Sequence, residues 1–107
     1  MSKVVHKNGS IALAVSNDQV VDKVDITNYN GVSFQLNGIA GTAGSAKLQH
    51  SLDNSNWEDI ASATSTLAAS EANIINVAGL YTGHVRALVT LSAGAGTYSY
   101  YFLAKER

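Results

Sequence analysis

The residues able to do acid–base, nucleophilic or metal chemistry are few and scattered along the chain. His6, His50 and His84 are the only histidines, and there is no cysteine. That removes disulfides, thiolate metal ligands and a cysteine nucleophile. A serine nucleophile needs a base beside it and a carboxylate that orients the base. No nucleophile-elbow sequence is present, and His50 falls on the apolar face of an alternating run, where a hydrogen-bonded core or edge histidine is expected. Three histidines on separate strands would have to converge to hold zinc, and nothing in their spacing asks for it. The most oxygen-rich stretch is Asp53-Asn54-Ser55-Asn56-Trp57-Glu58-Asp59. It begins like a calcium loop, but Glu58 and Thr64 stand where such a loop needs Gly and Glu. It reads as a tight turn whose Asp and Asn side chains bond local backbone donors. Asp53, Glu58 and Asp59 as glycosidase carboxylates would need a deep cleft between them, for which a small sandwich has little room. No catalytic, metal or cofactor-binding residue is assigned, and the chain is expected not to be an enzyme.

The glycine-rich segments 38–44 and 92–96 fail as phosphate cradles. A P-loop requires Gly-Lys-Ser/Thr opening a helix, and Gly44-Ser45 has no such lysine and leads into an alternating strand. A dinucleotide fingerprint needs a strand–turn–helix unit. Both segments are expected to be hairpin loops. The aromatic stock is Trp57 with Tyr29, Tyr81, Tyr98, Tyr100 and Tyr101, besides two phenylalanines. Trp57 is expected to plug the core; exposed, it would stack on sugars or anchor an interface. Tyr98, Tyr100 and Tyr101 straddle both faces of one strand, so at least one is expected to meet a second chain or the edge of the other sheet.

The elements that position these residues have the two-residue period of strands. Val32, Phe34 and Leu36 alternate with polar residues between the turn pairs Asn30-Gly31 and Asn37-Gly38. Ala46, Leu48, His50 and Leu52 alternate with Lys47, Gln49 and Ser51. The runs 84–91 and 98–103 carry apolar groups on both faces, so they are expected to be central or to carry an interface. Val4-Val5-His6, Ile11 to Val15, Val20 to Ile26, Trp57 to Ile60 and Ala72 to Val77 supply shorter candidates. In 20–26, Val21, Lys23 and Asp25 share one face and Val20, Asp22, Val24 and Ile26 the other. Asn8-Gly9-Ser10 reads as a turn. Ala61 to Ala72 is helix-compatible and reads as a loop with one helical turn. Gly31 to Leu52 and Gly83 to Leu103 read as two long hairpins. The expected fold is all-β: a single antiparallel β-sandwich, jelly-roll-like, of about eight strands spanning 1–107.

The totals agree. A chain of 107 residues fits one domain with one core. Charged residues are 14%, below the usual ~25%, so the surface relies on Ser, Thr, Asn and Gln and tolerates being covered by a partner. The net charge of −1 without a run of Lys or Arg gives no footprint for nucleic acid. Residues 1–7 lack the apolar core of a secretory signal, and no apolar stretch approaches the ~20 residues of a membrane helix. The chain is expected to be made and folded in the cytosol, with no membrane partner.

The run Leu48-Gln49-His50-Ser51-Leu52-Asp53-Asn54-Ser55-Asn56-Trp57-Glu58-Asp59-Ile60 carries a family resemblance. With Gly31-Val32-Ser33-Phe34-Gln35-Leu36 before it, Gly79-Leu80 and Val85-Arg86-Ala87 after it, and Tyr98 to Ala104 closing the domain, it resembles the small β-sandwich structural proteins of tailed bacteriophage virions. The likeness covers roughly residues 20 to 107. A Ser-x-Asp-x-x-x-Trp hairpin also occurs in discoidin-like and carbohydrate-binding sandwiches. The resemblance implies a virion component made in the host cytoplasm, foremost a head decoration (cement) protein that binds the major capsid protein. It further implies a homo-oligomer, a trimer by preference, with no cofactor. A tail or fibre component and a carbohydrate-binding module are the alternatives. Residues 1–8 would then serve as an arm adding a strand to a neighbour, or form an ordinary first strand. The interface residues expected on this basis are Lys3, Val4, Val5, Tyr98 and Tyr101.

Overall fold

A computed structural model describes residues 4–26, 29, 31–69, 71–79 and 83–105. Eight strands are seen among them: β1 (Val4–Leu13), β2 (Asp18–Asp25), β3 (Gly31–Asn37), β4 (Ala43–Ser51), β5 (Glu58–Leu67), β6 (Ala72–Val77), β7 (His84–Ala93) and β8 (Gly96–Lys105). They form two four-stranded sheets, ordered β1-β8-β3-β6 (sheet A) and β2-β7-β4-β5 (sheet B). Every strand pairing is antiparallel. Consecutive strands alternate between the sheets except β4 and β5, which is the jelly-roll arrangement of a β-sandwich.

Period-two patterning explains the core. Val32, Phe34 and Leu36 from β3 face Leu48 from β4 and Val85, Ala87, Val89 and Leu91 from β7, all buried. Phe34 and Phe102 pack at 4.8 Å between ring centroids, and Tyr100 meets Phe102 edge-on at 6.4 Å. The two strands with apolar groups on both faces, β7 and β8, are each interior to their sheet, as that composition requires.

Several expectations are corrected. The two glycine loops do not close hairpins: β3 and β4 lie in different sheets, and so do β7 and β8. Each loop is a corner crossing between the sheets, and the one hairpin between consecutive strands is β4–β5. Glycine content signals a sharp reversal but not whether the returning strand pairs or crosses. Asn8-Gly9-Ser10 is not a turn. It lies within β1, paired with Tyr101, Tyr100 and Ser99 of β8. Glycine is suited there because Tyr100 passes beneath it: a Cβ on Gly9 would lie 3.0 Å from the Tyr100 hydroxyl.

The stretch 61–72 is not helical up to Leu67, which ends β5. Lys47 pairs with Thr64 but Gln49 with Asp59, so four residues of β5 oppose Leu48. That wide bulge lets Ile60, Ala63 and Leu67 all reach the core, a spacing with no strand period. A smaller bulge between Val20 and Asp22 of β2 buries both Val21 and Val24, which strict alternation assigns to opposite faces. At the end of β4 the pattern also slips: Ser51 is buried and Leu52 is 78% exposed at the start of the turn.

Candidate interaction surface

The outward face of sheet A is built from the alternate residues left over by the core. Reading across the sheet, Asn8, Tyr101, Gln35 and Ile74 form one cross-strand row, and His6, Leu103, Ser33 and Asn76 form the next. Tyr101 is 43% exposed and Ile74 52%. Between the rows runs a shallow groove of about 360 Å³ with no carboxylate among its lining residues. Its polar members are tied locally: Ser33 Oγ donates to Asn76 Oδ1 at 2.5 Å, and Gln35 Nε2 donates to Asn37 Oδ1 at 2.7 Å. The groove thus presents apolar area and hydrogen-bonding groups, with Lys7 the one lysine on its lining.

Of the residues expected at an interface, Tyr101 lies on this face. Val4 and Val5 pair with Lys105 and Ala104 at the start of β1, so residues 4–8 are hydrogen-bonded within the chain as a first strand. An arm laid on a neighbour would have to leave β8 first. Lys3 lies outside the described residues. Tyr98 is corrected: it is 1% exposed and points into the sandwich. Its hydroxyl donates to the Gly94 carbonyl and lies 3.2 Å from Thr42 Oγ1. Tyr98 therefore clamps the two glycine loops together at one end of the fold and has no surface left for a second chain. Sequence reasoning missed Ile74 and Leu103. The alternation of Ala72 to Val77 does carry the signal for Ile74, since Asn73 and Ile75 take the inner face.

Where the edges of the two sheets meet, β1 and β2 are joined by charge. Lys7 Nζ donates to Asp22 Oδ1 at 2.8 Å and to the Lys23 carbonyl at 2.9 Å, while Tyr100 Oη donates to Asp22 Oδ2 at 2.6 Å. Burial pushes the Asp22 carboxyl up, but the hydrogen bonds from Lys7, Tyr100 and the Lys23 amide together outweigh it and hold it below its ordinary value. The Asp22 bond and burial push the Tyr100 phenol up to about 12. Tyr100→Phe is expected to cost about 1.5–3 kcal/mol, the range for a hydrogen bond to a charged group, read as a lower urea midpoint at pH 7.

A second, polar cleft is formed by the β4–β5 turn. Asp53 holds the turn: its Oδ1 accepts from the Ser55 and Asn56 amides at 2.9 and 2.8 Å and from Ser51 Oγ at 2.9 Å, and its Oδ2 accepts from Asn56 Nδ2 at 2.6 Å. The Asn56 and Ser55 backbone bonds, then the side-chain bonds, hold its carboxyl well below the usual range. A depressed folded value means stabilisation that is present above the unfolded value near ~3.9 and is lost as pH falls through the folded one. Asp53→Asn is therefore expected to lose less of its urea resistance than wild type as the pH is lowered from about 6 to about 2.

Trp57 is not a core plug. It is half-buried beside this turn, with the Arg86 guanidinium 4.5 Å from its ring centroid. Arg86 Nε donates to Gln49 Oε1 at 2.8 Å, Gln49 Nε2 donates to Asp59 Oδ1 at 2.7 Å, and Lys47 Nζ lies 3.2 Å from Asp59 Oδ2. Gln49 first, then Lys47, hold the Asp59 carboxyl below its ordinary value. This relay ties Trp57 to the outer face of sheet B. His50 lines the cleft with its Nδ1 buried and, among the described residues, without a hydrogen-bond partner. Among the described residues no three His, Asp or Glu side chains cluster as metal ligands, and no helix is long and apolar enough to cross a membrane.

These observations define the class: a small jelly-roll β-sandwich with a groove free of carboxylates on the outer face of one sheet. No protein-family model and no curated protein sequence matches the chain. Solved structures do. The fold is similar to that of the SPBc2 prophage-derived protein YomS, at 14% identity over 95% of this chain and 96% of that one, with a TM-score of 0.56. It is similar to a structure of Bacillus endospore appendages, described as disulfide-linked pili, at 15% identity over 100% and 92% of the two chains, TM-score 0.55. PirA matches at 13% identity over 92% of each chain, TM-score 0.57. At these identities the likeness is one of fold.

Proposed function

We propose that the chain is a non-enzymatic structural subunit of a bacteriophage virion, a head decoration protein that binds the major capsid protein and stabilises the head lattice. The observation that carries this reading is the carboxylate-free groove around Tyr101, Ile74 and Leu103 on the outer face of sheet A. Covering such a face strips water from few charges, which keeps the desolvation penalty of contact low. Repetition over a lattice adds avidity without a strong single site. The fold shared with a prophage-derived protein and with subunits of a pilus supports the reading. Electron microscopy of heads assembled with and without the chain tests it. Extra density at regular lattice positions in the first sample is expected; identical maps would refute the decoration role.

A carbohydrate-binding role at a tail tip is the second reading, favoured by Trp57 lining the polar turn cleft instead of the core. Trp57 is the chain's single tryptophan, so sugar binding there would change the fluorescence of a sole reporter. A glycan panel that leaves its emission unchanged removes this reading.

A further inference from the structure

The four edge strands of the sandwich differ in how they are guarded. An open edge offers unpaired backbone groups to any passing strand, and proteins blunt it with charge, proline or bulges. β1 carries His6 and Lys7. β2 carries Asp18, Asp22, Lys23 and Asp25 and is bulged at Val21. β5 carries Glu58 and Asp59 and the wide bulge. β6 alone has none of these. Its sequence, Ala72-Asn73-Ile74-Ile75-Asn76-Val77, is free of charge and proline, and its pairing with β3 runs without a register shift. Its one exposed large apolar side chain, Ile74, borders the groove on the outer face of sheet A.

From this we infer that β6 is a self-association strand: two copies of the chain join their A sheets into one eight-stranded sheet by antiparallel β6–β6 pairing about a two-fold axis. The inference rests on reading the outer face of sheet A as a contact surface, and it names a second copy as one of its partners. Strand chemistry restricts the register. Ala72, Ile74 and Asn76 point outward and Asn73 and Ile75 inward, and directly opposed residues of an antiparallel pair share a face. A two-fold axis that keeps both outer faces on one side must therefore oppose outward residues to outward ones. Placing Ile74 opposite the second copy's Ile74 meets that condition. It sets each Ala72 opposite the other copy's Asn76, covers both exposed isoleucines with each other, and makes the two grooves continuous. An isologous pair of this kind closes on itself and does not grow into fibres.

The absence of cysteine makes the register directly testable. Opposed positions lie about 4.5–5.5 Å apart between Cα atoms, within reach of a disulfide. Equal-numbered Ala72 positions are offset by four residues, about 14 Å. Under mild oxidation Ile74→Cys is expected to give covalent dimers. Ala72→Cys and Asn76→Cys are expected to give none separately but to cross-link when mixed. By light scattering the wild type is expected to be dimeric, and Ile74→Lys monomeric with unchanged circular dichroism. A monomeric wild type, a trimer that survives Ile74→Lys, or cross-linking by Ala72→Cys alone would overturn the inference. All these measurements use the purified chain. Failure to bind heads with the dimer intact would count against the decoration role and leave the pairing standing.

Discussion

Gly44→Ala is expected to destabilise the fold by at least about 3 kcal/mol, a loss that places it among the severe single substitutions. Gly44 is the second residue of β4, just after the corner crossing, where the register with β7 shifts between Ala43 and Gly44. Its φ of +142° lies in a region that side chains rarely adopt, and a Cβ there would come 2.1 Å from the Thr90 carbonyl oxygen and 2.8 Å from the Leu91 Cα. Both atoms belong to the backbone of β7, which is held on its other side by β2. Neither can move without disturbing a central strand, so backbone strain and steric overlap add. Gly41 provides the control. Its φ is +89° but a Cβ would meet nothing within 4 Å, so Gly41→Ala is expected to cost only the left-handed conformation, about 1–2 kcal/mol. Urea denaturation of the two variants checks both numbers. Similar losses for both would mean that the crossing is looser than described.

Phe34→Ala is expected to cost about 3–5 kcal/mol, the usual range for emptying a buried aromatic site. Phe34 is 1% exposed at the middle of β3, packed at a tilt against Phe102 of β8, and both neighbours of β3 in sheet A are paired with it along the ladder. The cavity cannot collapse without bending the sheet, which puts the cost toward the upper end. At roughly 4–8 °C per kcal/mol for a domain of this size, the midpoint should fall by about 12 °C or more. Ile74→Ser, outside the same sheet, is expected to leave monomer stability within about 0.5 kcal/mol. On the proposed function, the contrast separates two jobs of sheet A: its inner face supplies stability and its outer face contact.

Period-two patterning made β3, β7 and β8 readable, because each buries one full set of alternate residues and no bulge interrupts the inward set. Apolar groups on both faces marked β7 and β8 as central strands or interface carriers, and the sheet order makes both interior. Where the pattern failed, a backbone irregularity intervened. The bulge at Val21 and the wide bulge across 60–63 each shift the inward set, and Ala, Ser and Thr leave too weak an apolar signal to reveal β5. The crossings at the glycine loops were hidden for another reason. A reversal between two strands has the same local chemistry whether they pair or pack across the core, and the choice is made by long-range partners such as β8 with β1. Trp57 was misplaced because size alone suggested burial, whereas Arg86, distant in sequence, covers its ring at the surface. Of the contact face, Tyr101 could be picked out from its strand. Ile74 could not be joined to it until the sheet order set β6 beside β3.

Co-sedimentation with heads that lack the chain gives the sharpest test of the claim that this sandwich works through the outer face of sheet A. The double variant Tyr101→Ser with Leu103→Ser is expected to fold as wild type does and to stay in the supernatant, whereas Trp57→Ser is expected to pellet with the heads. Pelleting of the double variant, with loss of binding by Trp57→Ser, would contradict the account and move the functional surface to the β4–β5 turn.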